Sequence, residues 1–272
     1  MSGAQQRKTT PRINFVIKQP NSYDSPRWPD FTKEMEMQEL FRRSHYIRRM
    51  VDVIPPSLGS EPPCMVLEAF EKSLWSARLR RPFSLGEIRS VMRSVVIGLG
   101  VIHLDLKMEN ILVTGFDSDM PGDVRPPSQG PIASITYRSP EVYFNKPWTT
   151  ATDIWSWGIV YLHVLQAHAD FDNPGMFDSL KVEGSLDDKE NAVRAAMAHE
   201  FDLHSVEYYT SDPVSRELLP PKDDTRTDLD HWVIKLLDYG IPKKDTEAVH
   251  MALNPVPDLR PTAMDFLEFD YV

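Results

Sequence analysis

The chain has 272 residues and carries 30 Lys+Arg against 40 Asp+Glu, a formal net charge of −10. That balance argues against nucleic acid as a partner, because a general nucleic-acid binder needs a basic footprint to displace the counterions of phosphate. At 41 % hydrophobic and 26 % charged, the composition is that of a globular protein long enough for one large domain or two small lobes, and no apolar run reaches the roughly 18 residues of a membrane span.

Residues 1–12 are polar and patternless, which reads as a loose tail. Ile13 to Lys18 is short, β-rich and bounded by Pro11 and Pro20, the signature of a strand. From Phe31 to Arg43, Met35, Leu40 and Phe41 lie among charges at near-helical spacing, so a partly exposed helix is expected. The apolar runs at 50–54 and 64–70, separated by a Pro/Gly/Ser loop, read as an antiparallel pair. Beyond Phe70 the texture turns helical. Ser84 and Glu87 form a capping box, after which Ile88, Val91, Met92, Val95 and Leu99 share one helical face. Ala151 to Ala167 is apolar nearly all round, as in a helix buried within a core. Further helices are expected at 186–200, at 228–239 closed by Gly240, at 245–253, and at 262–269 capped by Thr262. The layout is α+β in two lobes, a reduced β-rich part over 13–70 and a larger, mostly helical part over 71–270.

Between the capped helix and the next apolar run lies His103-Leu104-Asp105-Leu106-Lys107-Met108-Glu109-Asn110-Ile111-Leu112. This resembles the catalytic loop of the eukaryotic protein kinases, Ser/Thr type, with Leu104 where the family has Arg. Phosphoryl transfer needs a carboxylate to orient the attacking hydroxyl and accept its proton, a cation near the moving phosphoryl, and a Mg²⁺ ligand. The resemblance gives those roles to Asp105, Lys107 and Asn110. It continues through Tyr137-Arg138-Ser139-Pro140-Glu141, similar to the end of an activation segment, and Asp153-Ile154-Trp155-Ser156-Trp157-Gly158, similar to the opening of the family's buried central helix. In Asn254 to Thr262, Arg260 takes the place of the arginine that pairs with the activation-segment glutamate, here Glu141. Phe15-Val16-Ile17-Lys18 resembles the strand whose lysine holds the nucleotide phosphates. By the same register Glu36 is its partner, with Glu34 and Glu39 as competitors; Leu67 is the gatekeeper, and the backbone of Glu68 and Phe70 forms the adenine-binding hinge. The resemblance implies a two-lobed kinase-like fold, ATP and Mg²⁺ as cofactors, and a protein substrate or protein partner.

Departures from the pattern bear on activity. The only glycine before Lys18 is Gly3, so the glycine-rich loop that cradles the phosphates is missing. The link from Gly98 to His103 is shorter than the family's. No D-F-G follows the catalytic loop; Asp123 has the expected separation from Asn110 and stands as the second metal ligand, followed by Val124 and Arg125, with Asp117 and Asp119 as substitutes. A pseudokinase scaffold is therefore the alternative to a Ser/Thr kinase. Leu104 cannot pair a phosphate, so activation by phosphorylation between Asp123 and Glu141 is not expected. The single Cys64 excludes an internal disulfide, and the polar start lacks a signal-peptide core, so an intracellular location, cytoplasm or nucleus, is expected. Trp148, Trp155 and Trp157 read as core, His163 and His168 as packing or surface residues, and Arg42–Arg43, Arg48–Arg49 and Arg78–Arg81 as solvated faces.

Overall fold

The computed structural model describes residues 14–20, 28–56, 61–100, 106–114, 135–180, 183–222 and 231–268. They fall into two compact units, Met1–Glu71 and Lys72–Val272.

In the first unit, β1 (Phe15–Lys18), β2 (Met50–Ile54) and β3 (Cys64–Glu68) form an antiparallel sheet of order β1-β3-β2. The register pairs Val16 and Met50 with Leu67, and Lys18 with Met65. Because side chains alternate along a strand, these five residues share one face. Helix α1 (Pro29–Leu40) packs there through Phe31, which forms a small core with Met50, Met65 and Leu67, flanked by Trp28 and Met35. Pro29 starts the helix, where a missing N–H costs nothing. The opposite face leaves Phe15, Ile17 and Ile54 exposed.

The second unit opens with a two-residue ladder of β4 (Lys72–Ser73) and β5 (Leu112–Val113). Ser73 caps the short helix α2 (Leu74–Arg78). Helix α3 (Leu85–Leu99) begins at the expected capping box, Ser84 Oγ accepting from the Glu87 N–H at 3.3 Å while Glu87 Oε2 accepts from the Ser84 N–H at 2.8 Å. After α4 (Pro140–Tyr143) comes the central helix α5 (Ala151–Ala169), buried from Ile154 to Leu165. Around it lie α6 (Leu186–Glu200), α7 (Glu207–Thr210), α8 (Pro213–Leu218), α9 (His231–Asp238), α10 (Lys243–Ala252) and α11 (Ala263–Glu268). Trp157 of α5 donates its indole N–H to the Met92 carbonyl of α3 at 3.0 Å and packs on Phe266 of α11. Gly158 lets α10 approach closely: a Cβ there would lie 2.8 Å from Leu253 Cδ2 and 2.9 Å from Ala252 Cβ. Gly240 closes α9 at φ +78, a backbone angle that favours glycine.

Three sequence expectations are corrected. Trp148 is 69 % exposed, not core, since it lies in the loop between α4 and α5 that Asn145 turns outward at φ 52. Arg78 is 5 % exposed rather than solvated, because its guanidinium lies over the Trp75 ring and donates to the Asn173 carbonyl. Arg48 is half-buried, with its Nε on a backbone carbonyl.

Candidate active site

On the first unit, Lys18 ends β1 on the face covered by α1, its side chain 46 % exposed and its ammonium 2.5 Å from Glu34 Oε1. The partner favoured by the sequence, Glu36, is exposed and lies elsewhere on the helix. The reason is helical register: Glu34 follows the buried Phe31 by three residues and shares its face, whereas Glu36 is roughly 140° round the helix from it. At the end of β3, the Glu68 N–H donates to the Arg49 carbonyl at 3.0 Å, and the Glu68 carbonyl accepts from Arg48 Nε at 2.7 Å. Phe70 follows, half-buried.

On the second unit, Leu106, Met108 and Ile111 are buried and anchor the segment carrying the remaining motif residues. The Leu74 and Trp75 N–H groups of α2 donate to the Ile111 and Met108 carbonyls at 2.7 and 3.3 Å. Between these anchors the chain turns tightly, the Asn110 N–H donating to the Lys107 carbonyl at 2.9 Å, with Asn110 exposed and Lys107 buried. Asp105, the proposed base, and Asp123, the proposed metal ligand, lie outside the described residues, as do Leu104, Asp117 and Asp119.

Downstream, a short 3-10 turn at Ile135–Tyr137 leads into α4 and is held by side chains from several elements. Tyr143 OH donates to the Ile135 carbonyl at 2.5 Å, Ser156 Oγ to the Tyr137 carbonyl at 2.8 Å, and Arg138 pairs with Glu190 of α6 at 3.0 Å. Burial pushes the Tyr143 phenol well above its ordinary range. Glu141 meets Arg260 in a bidentate pair, Nη1–Oε1 2.7 Å and Nη2–Oε2 2.8 Å, with both side chains fully buried. Arg260 also donates to the Asn254 and Ala151 carbonyls at 2.7 and 2.9 Å, and Thr152 Oγ1 donates to Glu141 at 3.0 Å. A second long-range pair ties α3 to α10: buried Asp245 accepts from Arg89 at 2.8 and 2.6 Å and from Tyr161 OH at 2.7 Å. Burial raises the Asp245 pKa, but hydrogen bonds from Arg89 and Tyr161 outweigh it and hold the carboxyl below its usual value.

Sequence reading missed a polar cluster beside this segment. A cleft of about 350 Å³ is lined by Thr136, Phe177, Asp178, Glu183 and Lys189 among others. Burial, reinforced by the charge of Glu109, pushes the Asp178 carboxyl up to about 6. His163 Nδ1 lies 3.6 Å from Asp178 Oδ2, and burial with the nearby Arg78 charge takes the imidazole down to about 3, so the contact joins a neutral ring to a carboxyl. Gly175, at φ +93, packs on that ring so closely that a Cβ would lie 2.8 Å from it. No local pattern marks these residues, because they come from the 3-10 turn, α5, the loop after it and α6.

A small sheet with a helix-paired lysine, and a helical unit with a glutamate-arginine lock beneath an activation-segment-like turn, define a protein-kinase-like α+β protein. The model of the family described as "Protein kinase domain" matches residues 5–272, and the chain belongs to that family. It is 26 % identical over 230 residues to a probable dual specificity protein kinase YAK1 homolog of Encephalitozoon cuniculi, covering 77 % of this chain and 55 % of the relative. It is 31 % identical over 116 residues to the serine/threonine-protein kinase US3 of human herpesvirus 1 (36 % of this chain, 24 % of the relative). Against mouse ribosomal protein S6 kinase alpha-4 the identity is 29 % over 114 residues, 35 % of this chain and 15 % of the relative. The chain thus spans about half the length of the first of these and less of the others. Among the described residues no helix is long and apolar enough to cross a membrane.

Proposed function

We propose that the chain is an intracellular protein kinase that transfers the γ-phosphoryl of ATP to Ser or Thr hydroxyls of protein substrates. Asp105 orients the attacking hydroxyl and takes its proton as the new O–P bond forms; the bond to the β,γ-bridging oxygen breaks and ADP leaves. Lys107 faces the transferring phosphoryl with its charge. Asn110 and Asp123 supply ligands for Mg²⁺, which neutralises charge on the phosphates when bound. Lys18, oriented by Glu34 in place of Glu36, holds the α- and β-phosphates, and the backbone of Glu68 and Phe70 reads the base.

The observation that carries this reading is the Lys18–Glu34 pair, a lysine fixed on the α1-facing side of the sheet with nearly half of its side chain exposed. A cation so placed can meet a polyphosphate without first leaving a buried site. A second reading, a pseudokinase scaffold, is favoured by the missing glycine-rich loop and D-F-G. The test measures thermal stabilisation by ATP and Mg²⁺, together with phosphate transfer to a generic basic protein, for wild type and Asp105→Asn. Stabilisation follows RT ln(1 + [L]/Kd), about 2.7 kcal/mol at a hundredfold excess over Kd. Transfer abolished by Asp105→Asn supports the kinase; no nucleotide-dependent shift and no transfer supports the scaffold and overturns the nucleotide-binding reading.

A further inference from the structure

Arg48 belongs to a basic pair that the sequence assigns to solvent, and the fold turns it inward. It precedes Met50, the first residue of β2, by two residues. Its Nε donates to the Glu68 carbonyl at 2.7 Å, a short, charge-assisted bond. The half-buried guanidinium has lost part of its hydration, and burial lowers its pKa against the opposing charge of Glu68. Among the described residues the Nε bond is the one hydrogen bond of Arg48, and each of its two Nη groups carries two N–H donors.

On the nucleotide-binding reading given above, on which this inference rests, the Glu68 carbonyl is the acceptor that meets the exocyclic amino group of adenine. Arg48 already occupies one of the two lone pairs of that carbonyl and sets a cationic donor beside the other. A 6-amino group brought to the same edge would meet a donor, whereas a 6-oxopurine presents O6 and N7, two acceptors that match a guanidinium. We propose that Arg48 sets the base preference of the nucleotide site, removing selection for adenine and admitting the 6-oxopurines guanine and hypoxanthine. The residue thus determines specificity through the edge it offers the base and takes no part in phosphoryl transfer.

The experiment measures dissociation constants of ATP, GTP and ITP, each with Mg²⁺, for the full chain and for Arg48→Met, which keeps the aliphatic stem but removes every donor. Wild type should bind GTP and ITP at least as tightly as ATP, and Arg48→Met should move the ATP-to-GTP ratio toward ATP by about tenfold or more. A wild-type preference for ATP over GTP overturns the inference, as does a ratio that Arg48→Met leaves unchanged. The wild-type comparison stands by itself if the variant does not fold. Absence of binding by all three nucleotides overturns the nucleotide-binding reading as well, and so is distinct from failure of the base assignment alone.

Discussion

Replacing Glu141 by Ala strands the guanidinium of Arg260 in a site where neither side chain has any solvent exposure. Two charge-assisted bonds, at 2.7 and 2.8 Å, are lost together, and the Thr152 hydroxyl loses its acceptor. The Asn254 and Ala151 carbonyls continue to accept from Arg260 but carry no formal charge. Breaking a buried pair from one side costs about 3–5 kcal/mol. For a helical unit of this size that lowers Tm by roughly 10 °C. Urea titration followed by tryptophan fluorescence reports on it, since every tryptophan except Trp28 lies in the second unit. The midpoint should fall with little change in m, because the surface exposed on unfolding is the same. Glu141→Ala with Arg260→Ala should cost less than the sum of the single substitutions by about 2 kcal/mol, since the double variant buries no unpaired charge. A cost for Glu141→Ala below about 1 kcal/mol, or strict additivity, would refute the lock.

Gly158→Ala should destabilise the same transition by about 1–3 kcal/mol, as the new Cβ collides with α10 and its cap residue; an unchanged midpoint would show that the helices separate at no cost. Glu34→Gln and Glu36→Gln should each change stability by less than about 1 kcal/mol, because the Lys18–Glu34 pair is partly open to solvent and Glu36 is exposed. Only Glu34→Gln should weaken nucleotide-dependent stabilisation, and equal effects would move the Lys18 partner back into doubt. For Asp178 the folded pKa, about 6, lies above the ordinary carboxyl value of 3.8, so the folded state binds the extra proton between these values and loses stability as pH rises through them. Asp178→Asn should therefore gain about 1 kcal/mol over wild type at neutral pH, screened by solvent, with no gain below the unfolded pKa. His163 has the opposite sense: its folded pKa of about 3 lies below 6.5, so stability falls as pH drops through that interval, and its NMR titration should show a neutral ring down to about pH 4.

Much of this architecture is written in local pattern. The Ser84–Glu87 box and the apolar stripe after it specify α3, the unbroken apolar texture of Ala151–Ala167 specifies the central helix, and alternating short runs specify the three strands. The Glu141–Arg260 contact was legible through resemblance, although no rule of spacing could join those positions. Helices α2, α4, α7 and α8 are each too short to show a period. The choice between Glu34 and Glu36 turns on which helical face Phe31 buries, a tertiary fact. Arg48 and Arg78 sit in basic runs that composition assigns to water, and only the folded chain supplies the Glu68 and Asn173 carbonyls that draw them in. Trp148 shows the converse, an aromatic residue whose position in a loop matters more than its hydrophobicity.

The two long-range ion pairs of the helical unit join residues 119 and 156 positions apart. During synthesis Glu141 and Arg89 emerge long before Arg260 and Asp245, at about 5–20 residues per second. For that interval neither pair can close, and the loops to be closed are long ones, which slows folding further. Completion of the helical unit thus waits on Arg260 and Asp245, and a chain cut short before Arg260 would be left with a carboxylate that its own core cannot shelter.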